Sequence, residues 1–203
     1  MGIQLEGSVD NDVDSEVDGR VLRGQRNREA IVDAMFELYA AGNLRPTAAQ
    51  IAEAAGISTR SVYHHFDDME SLVAEVSARA EDGVNATTSR PDADLELDEK
   101  VPAFVQHRIT RWEKVHAVVR AARLGEYASP IVANALQVGR ARLREDVELT
   151  FAPELAAAAD PGLLLEGLDL LFGFEVWERL RLTQKLDPTT VATLLTPLVR
   201  SLF

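Results

Sequence analysis

The chain has no cysteine among its 203 residues, which excludes thiol catalysis, disulfides and cysteine-held metals. Long apolar runs are missing too. Charges interrupt the apolar stretches within a helical turn or two, and the N-terminus has neither the basic nor the apolar region of a secretory leader, so no membrane segment is expected and a cytoplasmic location is the default. No segment alternates with period two over a useful length, which argues against strands, and no repeat of solenoid period appears. Enzyme signatures are also absent. There is no nucleophile elbow and no glycine-rich phosphate loop after a strand, while His64, His65, His107 and His116 form neither an H-E-x-x-H motif nor a clustered ligand set. The expectation is a non-enzyme without metal or cofactor.

What the chain does have is acid and helix. The net charge is −12, and the first nineteen residues hold six acids and no base, so residues 1–19 read as a disordered acidic tail. Within it, DNDVDSEVDG resembles a calcium loop, but Ser15 occupies the glycine position and Val21 the closing glutamate position. Arg20, Arg23, Arg26 and Arg28 follow, either to track phosphates or to begin a solvated helix. From Arg20 to Ala80 seven arginines face eight acids, a nearly neutral balance that leaves room for a local basic face.

The most informative stretch is RPTAAQIAEAAGISTRSVYHHF, from Arg45 to Phe66. Thr47 and Gln50 make a capping box, Ile51, Ala52 and Ala55 keep helical spacing, and Gly56 follows where a chain leaves a helix. Ser58 caps a second helix that buries Val62 and Phe66. A helix over residues 26–41, with Ile31, Ala34, Met35, Leu38 and Tyr39 in one stripe, supports the pair. Two short helices around a tight turn fit a helix-turn-helix, whose second helix enters a groove about 12 Å wide, and they also fit an ordinary helical hairpin.

Ile51, Ala52, Ala55, Gly56, Ser58, Tyr63, His65, Phe66, Glu70 and Leu72 stand as the signature residues of the tetracycline-repressor (TetR) family stand, and the stretch resembles that family's DNA-binding domain. The resemblance implies an all-α protein. It has an N-terminal three-helix helix-turn-helix domain (20–81) and a C-terminal helical domain (82–203) for effector binding and dimerisation. It also implies a homodimeric repressor that binds a double-stranded, palindromic DNA operator. Ser58, Thr59, Arg60, Ser61 and His64 become candidates to face the groove, with Tyr63, His65 and the helix start at Thr47 on phosphates. Asp67 and Met69 depart from the pattern, since many members carry lysines there.

Beyond Leu95 the chain reads as helical throughout. Ser129-Pro130, Asp160-Pro161 and Asp187-Pro188 each pair a capping side chain with a proline at the first helical position, so three helices should begin there. Before them, one helix is expected over 98–112 and a second to about Arg123. Residues 163–186 read as one helix, apolar around most of its girth. With the final segment it suggests a subunit interface made by Leu164, Leu168, Leu171, Val191, Leu195, Leu198 and Leu202, or else a helix buried within a monomer. For a small, mostly apolar effector, Phe104, His107, Trp112, Tyr127, Phe172 and Trp177 offer aromatic surface, with Arg140, Glu175 and Asp169 as polar handles. Aromatics at helical spacing equally make core, and Glu175 can pair with Arg179 one turn on.

Overall fold

The computed structural model describes the backbone of residues 10–203 and the side chains from Leu22 onward; part of the acidic segment, residues 1–9, lies outside it. The architecture is all helical: α1 (Asp10–Ala40), α2 (Ala48–Ala54), α3 (Thr59–His65), α4 (Met69–Thr87), α5 (Leu97–Arg123), α6 (Pro130–Thr150), α7 (Ala152–Ala157), α8 (Pro161–Phe172), α9 (Phe174–Glu178), a π turn (Arg179–Thr183) and α10 (Pro188–Arg200). The chain divides into two compact units within α4, between Leu72 and Val73. Residues 10–19, expected without regular structure, continue α1 toward the N-terminus. No proline interrupts them, and acids in the first turns of a helix complement its dipole.

The first unit packs α1, α2 and α3 against one another around Ile31, Val32, Met35, Tyr39, Ile51, Val62 and Phe66, all buried. Gly42, at φ 87°, turns the chain out of α1 in the left-handed region that glycine enters without strain. Burial raises the Tyr39 hydroxyl pKa to about 12.

In the second unit the three predicted starts are all present. Ser129 Oγ accepts from the Val132 N–H at 3.3 Å, Asp160 Oδ1 from Leu163 at 3.0 Å and Asp187 Oδ1 from Thr190 at 3.0 Å. Other boundaries differ. α4 runs on to Thr87, and α5 is one helix because nothing between Trp112 and Val115 stops it. The span expected as one helix after Leu163 breaks at Gly173, where a β-carbon would meet the Leu170 and Asp169 carbonyl oxygens at 3.2 and 3.3 Å. Beyond Pro197, which lacks the N–H of an interior helical residue, α10 stays helical to Arg200.

The main core joins α5, α6, α8 and α10 through Phe104, Phe151, Leu168, Phe172, Val191 and Leu195. Edge-to-face contacts place the Phe104 ring 4.6 Å from Phe172 and 5.3 Å from Phe151. A second cluster gathers Val84, Trp112, Val115, Phe174 and Trp177. This burial corrects the expected subunit face. Leu164, Leu168, Val191 and Leu195 are packed inside the chain, so these four do not form a surface for another subunit, while Leu171 is half-buried at the edge of the same core. Only Leu198 and Leu202 of the expected set are exposed. A helix apolar on several sides does not reveal from sequence which side its own chain covers.

Leu168→Ala is therefore expected to lower unfolding free energy by about 2 to 5 kcal/mol, the range for a truncated core leucine. A loss below about 0.5 kcal/mol in urea titration would show that residue 168 lies outside the core.

Candidate nucleic-acid interface and ligand cavity

The interface begins with the start of α2. Gln50 N–H donates to Thr47 Oγ1 at 3.3 Å while Gln50 Oε1 accepts from Thr47 N–H at 2.9 Å, a reciprocal box that fixes the helix start. At the other end Gly56 has φ 67° and the Ile57 N–H reaches the Ala52 carbonyl at 3.0 Å, which closes α2 and sets the angle of the turn. Ser58 Oγ then accepts from Ser61 N–H at 3.1 Å, and the two hydroxyls share a hydrogen bond at 2.8 Å. Val62 and Phe66 anchor α3 from below.

That anchoring leaves Thr59, Arg60, Tyr63 and His64 exposed, at spacings that put them on one side of α3. Arg60 makes no ion pair among the described residues, so its guanidinium is available to a partner. Ser58 is exposed with its hydroxyl engaged at the helix start, and Ser61 is half-buried. His65 was expected on a phosphate. Its imidazole is half-buried near Gly24, and burial, then the neighbouring His64 and Arg28 charges, lower its pKa, so it is neutral at pH 7. Arg28 also fixes the end of α3: Nη1 donates to the His65 carbonyl at 2.7 Å and the guanidinium lies 4.3 Å above the Phe66 ring. Asp68 Oδ1 takes the Ser71 N–H at 2.7 Å to start α4; Asp67 is exposed and Met69 half-buried.

The second unit contains a cavity of about 440 Å³ between α4, α5, α6 and the α8–α9 break. Trp112, Val115, Val118, Leu136, Phe172 and Phe174 supply apolar wall, and the exposed Val138 and Leu170 mark an open side. Of the expected pocket residues, Trp112, Arg140, Phe172 and Glu175 line it, as does Asp169. The others do not. Phe104 and Trp177 are buried in the two cores, Tyr127 is 100% exposed, and His107 lies off the wall. Glu175 pairs across to Arg123 at 3.3 Å rather than along its own helix to Arg179, because the break at Gly173 redirects α9.

The charged groups of the wall were less visible in the sequence. Arg108 falls in step with the apolar stripe of α5, and that placement is itself the signal. It is 3% exposed, donates from Nη2 to the Leu143 carbonyl, and has Asp146 Oδ2 at 3.7 Å from Nη1. Burial brings its pKa down to about 10, so it stays cationic at neutral pH. Arg111, one turn on, is buried against Glu81 and donates to Asn85 Oδ1 at 2.9 Å. Among the described residues no His, Asp or Glu group is arranged to hold a metal, and no helix is long and apolar enough to cross a membrane.

An exposed polar helix set by a capped glycine turn on a three-helix support defines a helix-turn-helix DNA-binding protein. Residues 31–76 match the family model described as bacterial regulatory proteins, tetR family. Fifty residues are 46% identical to the HTH-type transcriptional repressor KstR2 of Rhodococcus jostii (strain RHA1), a match covering 24% of each chain. Solved structures share the fold over most of the length. One, a transcriptional regulator from Rhodococcus sp. Rha1, has a TM-score of 0.65 at 19% identity and covers 86% of this chain and 95% of its own. Another, a bacterial regulatory protein in the tetR family from Rhodococcus RHA1, has a TM-score of 0.60 at 21% identity, with 87% and 96% covered. Residues 31–76 thus carry a DNA-binding domain of the tetR family, and the solved structures show the same fold over most of the chain.

Burial, and secondarily the Arg108 charge, depress the His107 pKa to about 4. An unfolded histidine titrates near 6.5, so between those values the unfolded chain binds more protons and stability rises with pH. Urea midpoints measured from pH 4 to 7 should therefore climb less steeply in His107→Gln than in the parent; parallel profiles would contradict the buried, neutral imidazole.

Proposed function

We propose that the protein is a cytoplasmic, ligand-responsive repressor that binds a palindromic operator as a homodimer. The observation that carries the reading is the exposed Thr59, Arg60, Tyr63 and His64 face of α3, held rigid by the Ser58 cap and the Arg28 brace. Arg60 is the residue on that face able to bond two acceptors of a guanine edge, and Tyr63 offers a hydroxyl to a phosphate. With residues 20–80 nearly neutral in sequence, affinity must come from this local set, which keeps non-specific binding low.

The dimer would use the outward sides of α8 and α10. Leu163, 71% exposed, and Leu170 flank Gly167 on one helix, with Leu194 and Leu198 on the other and Leu202 just beyond its end. The turn after α10 comes close to α8 there, since a β-carbon at Gly167 would be 3.1 Å from Leu202 Cδ1. So much contiguous apolar surface is unusual on a monomer and suits a symmetric four-helix contact. α4 begins beside the helix-turn-helix in sequence and its later turns line the cavity, so an effector bound there acts on the helix that leads to α3.

Two experiments test this. Arg60→Ala should weaken operator binding by about 1 to 3 kcal/mol and relax preference at one base per half-site, whereas Tyr63→Phe should weaken all sequences alike. Unchanged specificity in Arg60→Ala, read from gel shifts with base-substituted operators, would remove it as a base reader. Leu163→Glu combined with Leu198→Glu should give a folded monomer in sedimentation, since both positions are on the surface and a dimer would have to bury the carboxylates. A dimer that survives both changes uses another face.

A further inference from the structure

The cavity has one wall residue whose chemistry its apolar surroundings do not explain. Arg108 is almost wholly buried, yet Nε and Nη1 carry hydrogens that no acceptor among the described residues takes. Leaving buried donors of a charged group unmet is costly, and a bound acceptor is one way to recover that cost. The other arginines of the wall are better provided for. Arg140 is held by both carboxylate oxygens of Glu126 and Arg142 is in solvent; Arg123 Nη1 also lacks a hydrogen bond, but its side chain is 33% exposed and lies 3.3 Å from Glu175 and 3.7 Å from Glu178.

We infer that the effector is a carboxylic acid with an apolar body, its carboxylate taken by Arg108 and its body packed against Trp112, Val115, Val118 and Phe172. This rests on the reading of the cavity as the effector site. A single negative charge suits the position better than a phosphate dianion, because Asp146, Asp169 and Glu81 already surround Arg108. The size follows from the volume. At roughly 30 Å³ for each water-sized group, a space of about 440 Å³ admits on the order of fifteen non-hydrogen atoms. A medium-chain acid such as decanoate, with about a dozen, falls within it.

The test compares decanoate with decanamide, the same body with a neutral head, by calorimetry on the full-length protein. The parent should bind the acid at least about tenfold more tightly, since charge-assisted hydrogen bonds are the stronger kind. Arg108→Met should erase the difference, and Ala135→Trp, which fills the cavity, should weaken both ligands. Equal affinities for acid and amide in the parent would overturn the carboxylate anchor while leaving the cavity as the effector site; Arg108 would then be satisfied by ordered water. Binding unaffected by Ala135→Trp, or no binding of either probe, would overturn the cavity reading and the anchor with it. The comparison on the parent does not depend on whether the Arg108 variant folds.

Discussion

A single hydrogen bond, from the Trp112 indole N–H to the Phe172 carbonyl at 3.1 Å, holds the second unit at the point where its helices change direction. α8 stops there because Gly173 leaves the helical conformation, which frees carbonyls at a helix end that is largely buried. Trp112 satisfies one of them from α5, and in doing so joins the two aromatic clusters of the unit. The Phe172 ring packs on Phe104 in the main core, while Trp112 packs on Phe174 at 5.3 Å in the second. The same break opens the cavity wall and turns Glu175 toward Arg123. Replacing the indole would leave the carbonyl unpaired and loosen both clusters together.

The helix-turn-helix unit obeys a different constraint. α2 and α3 are each seven residues long, too short to be stable alone in water, so their existence depends on caps and on packing against α1. The Thr47–Gln50 box, the Gly56 turn, the Ser58 cap and the Arg28 bond to the His65 carbonyl each satisfy backbone groups that a short helix leaves open. Rigidity at α3 is what makes side-chain readout of DNA possible, because a mobile helix would lose affinity to ordering.

Local chemistry was legible in the sequence and long-range phase was not. Each cap-proline pair marked a true helix start, and the capping box and Gly56 gave the turn, because those signals act over three or four residues. The helix break at Gly173 was missed since a glycine inside an apolar run does not show whether neighbouring carbonyls crowd its α-carbon. For the same reason the leucines of α8 and α10 could be recognised as apolar without showing which of them the chain covers itself. Leu164 and Leu168 turned inward, Leu163 and Leu170 outward. The pocket was half legible. Trp112, Phe172, Arg140 and Glu175 line it, but Tyr127 is wholly exposed and Phe104 is wholly core, and Arg108 stood in the apolar stripe as the one charged residue needing an explanation.

The central claim, that paired copies of α3 grip DNA, is tested most directly by hydroxyl-radical footprinting of the DNA upstream of the protein's own gene. A two-fold dimer with recognition helices in successive major grooves predicts two protected patches related by a palindrome and centred about 34 Å apart or a multiple of it. Protection should vanish when Arg60 and Tyr63 are both replaced by alanine. A single patch, uniform protection along the fragment, or a footprint indifferent to those two changes would contradict the account.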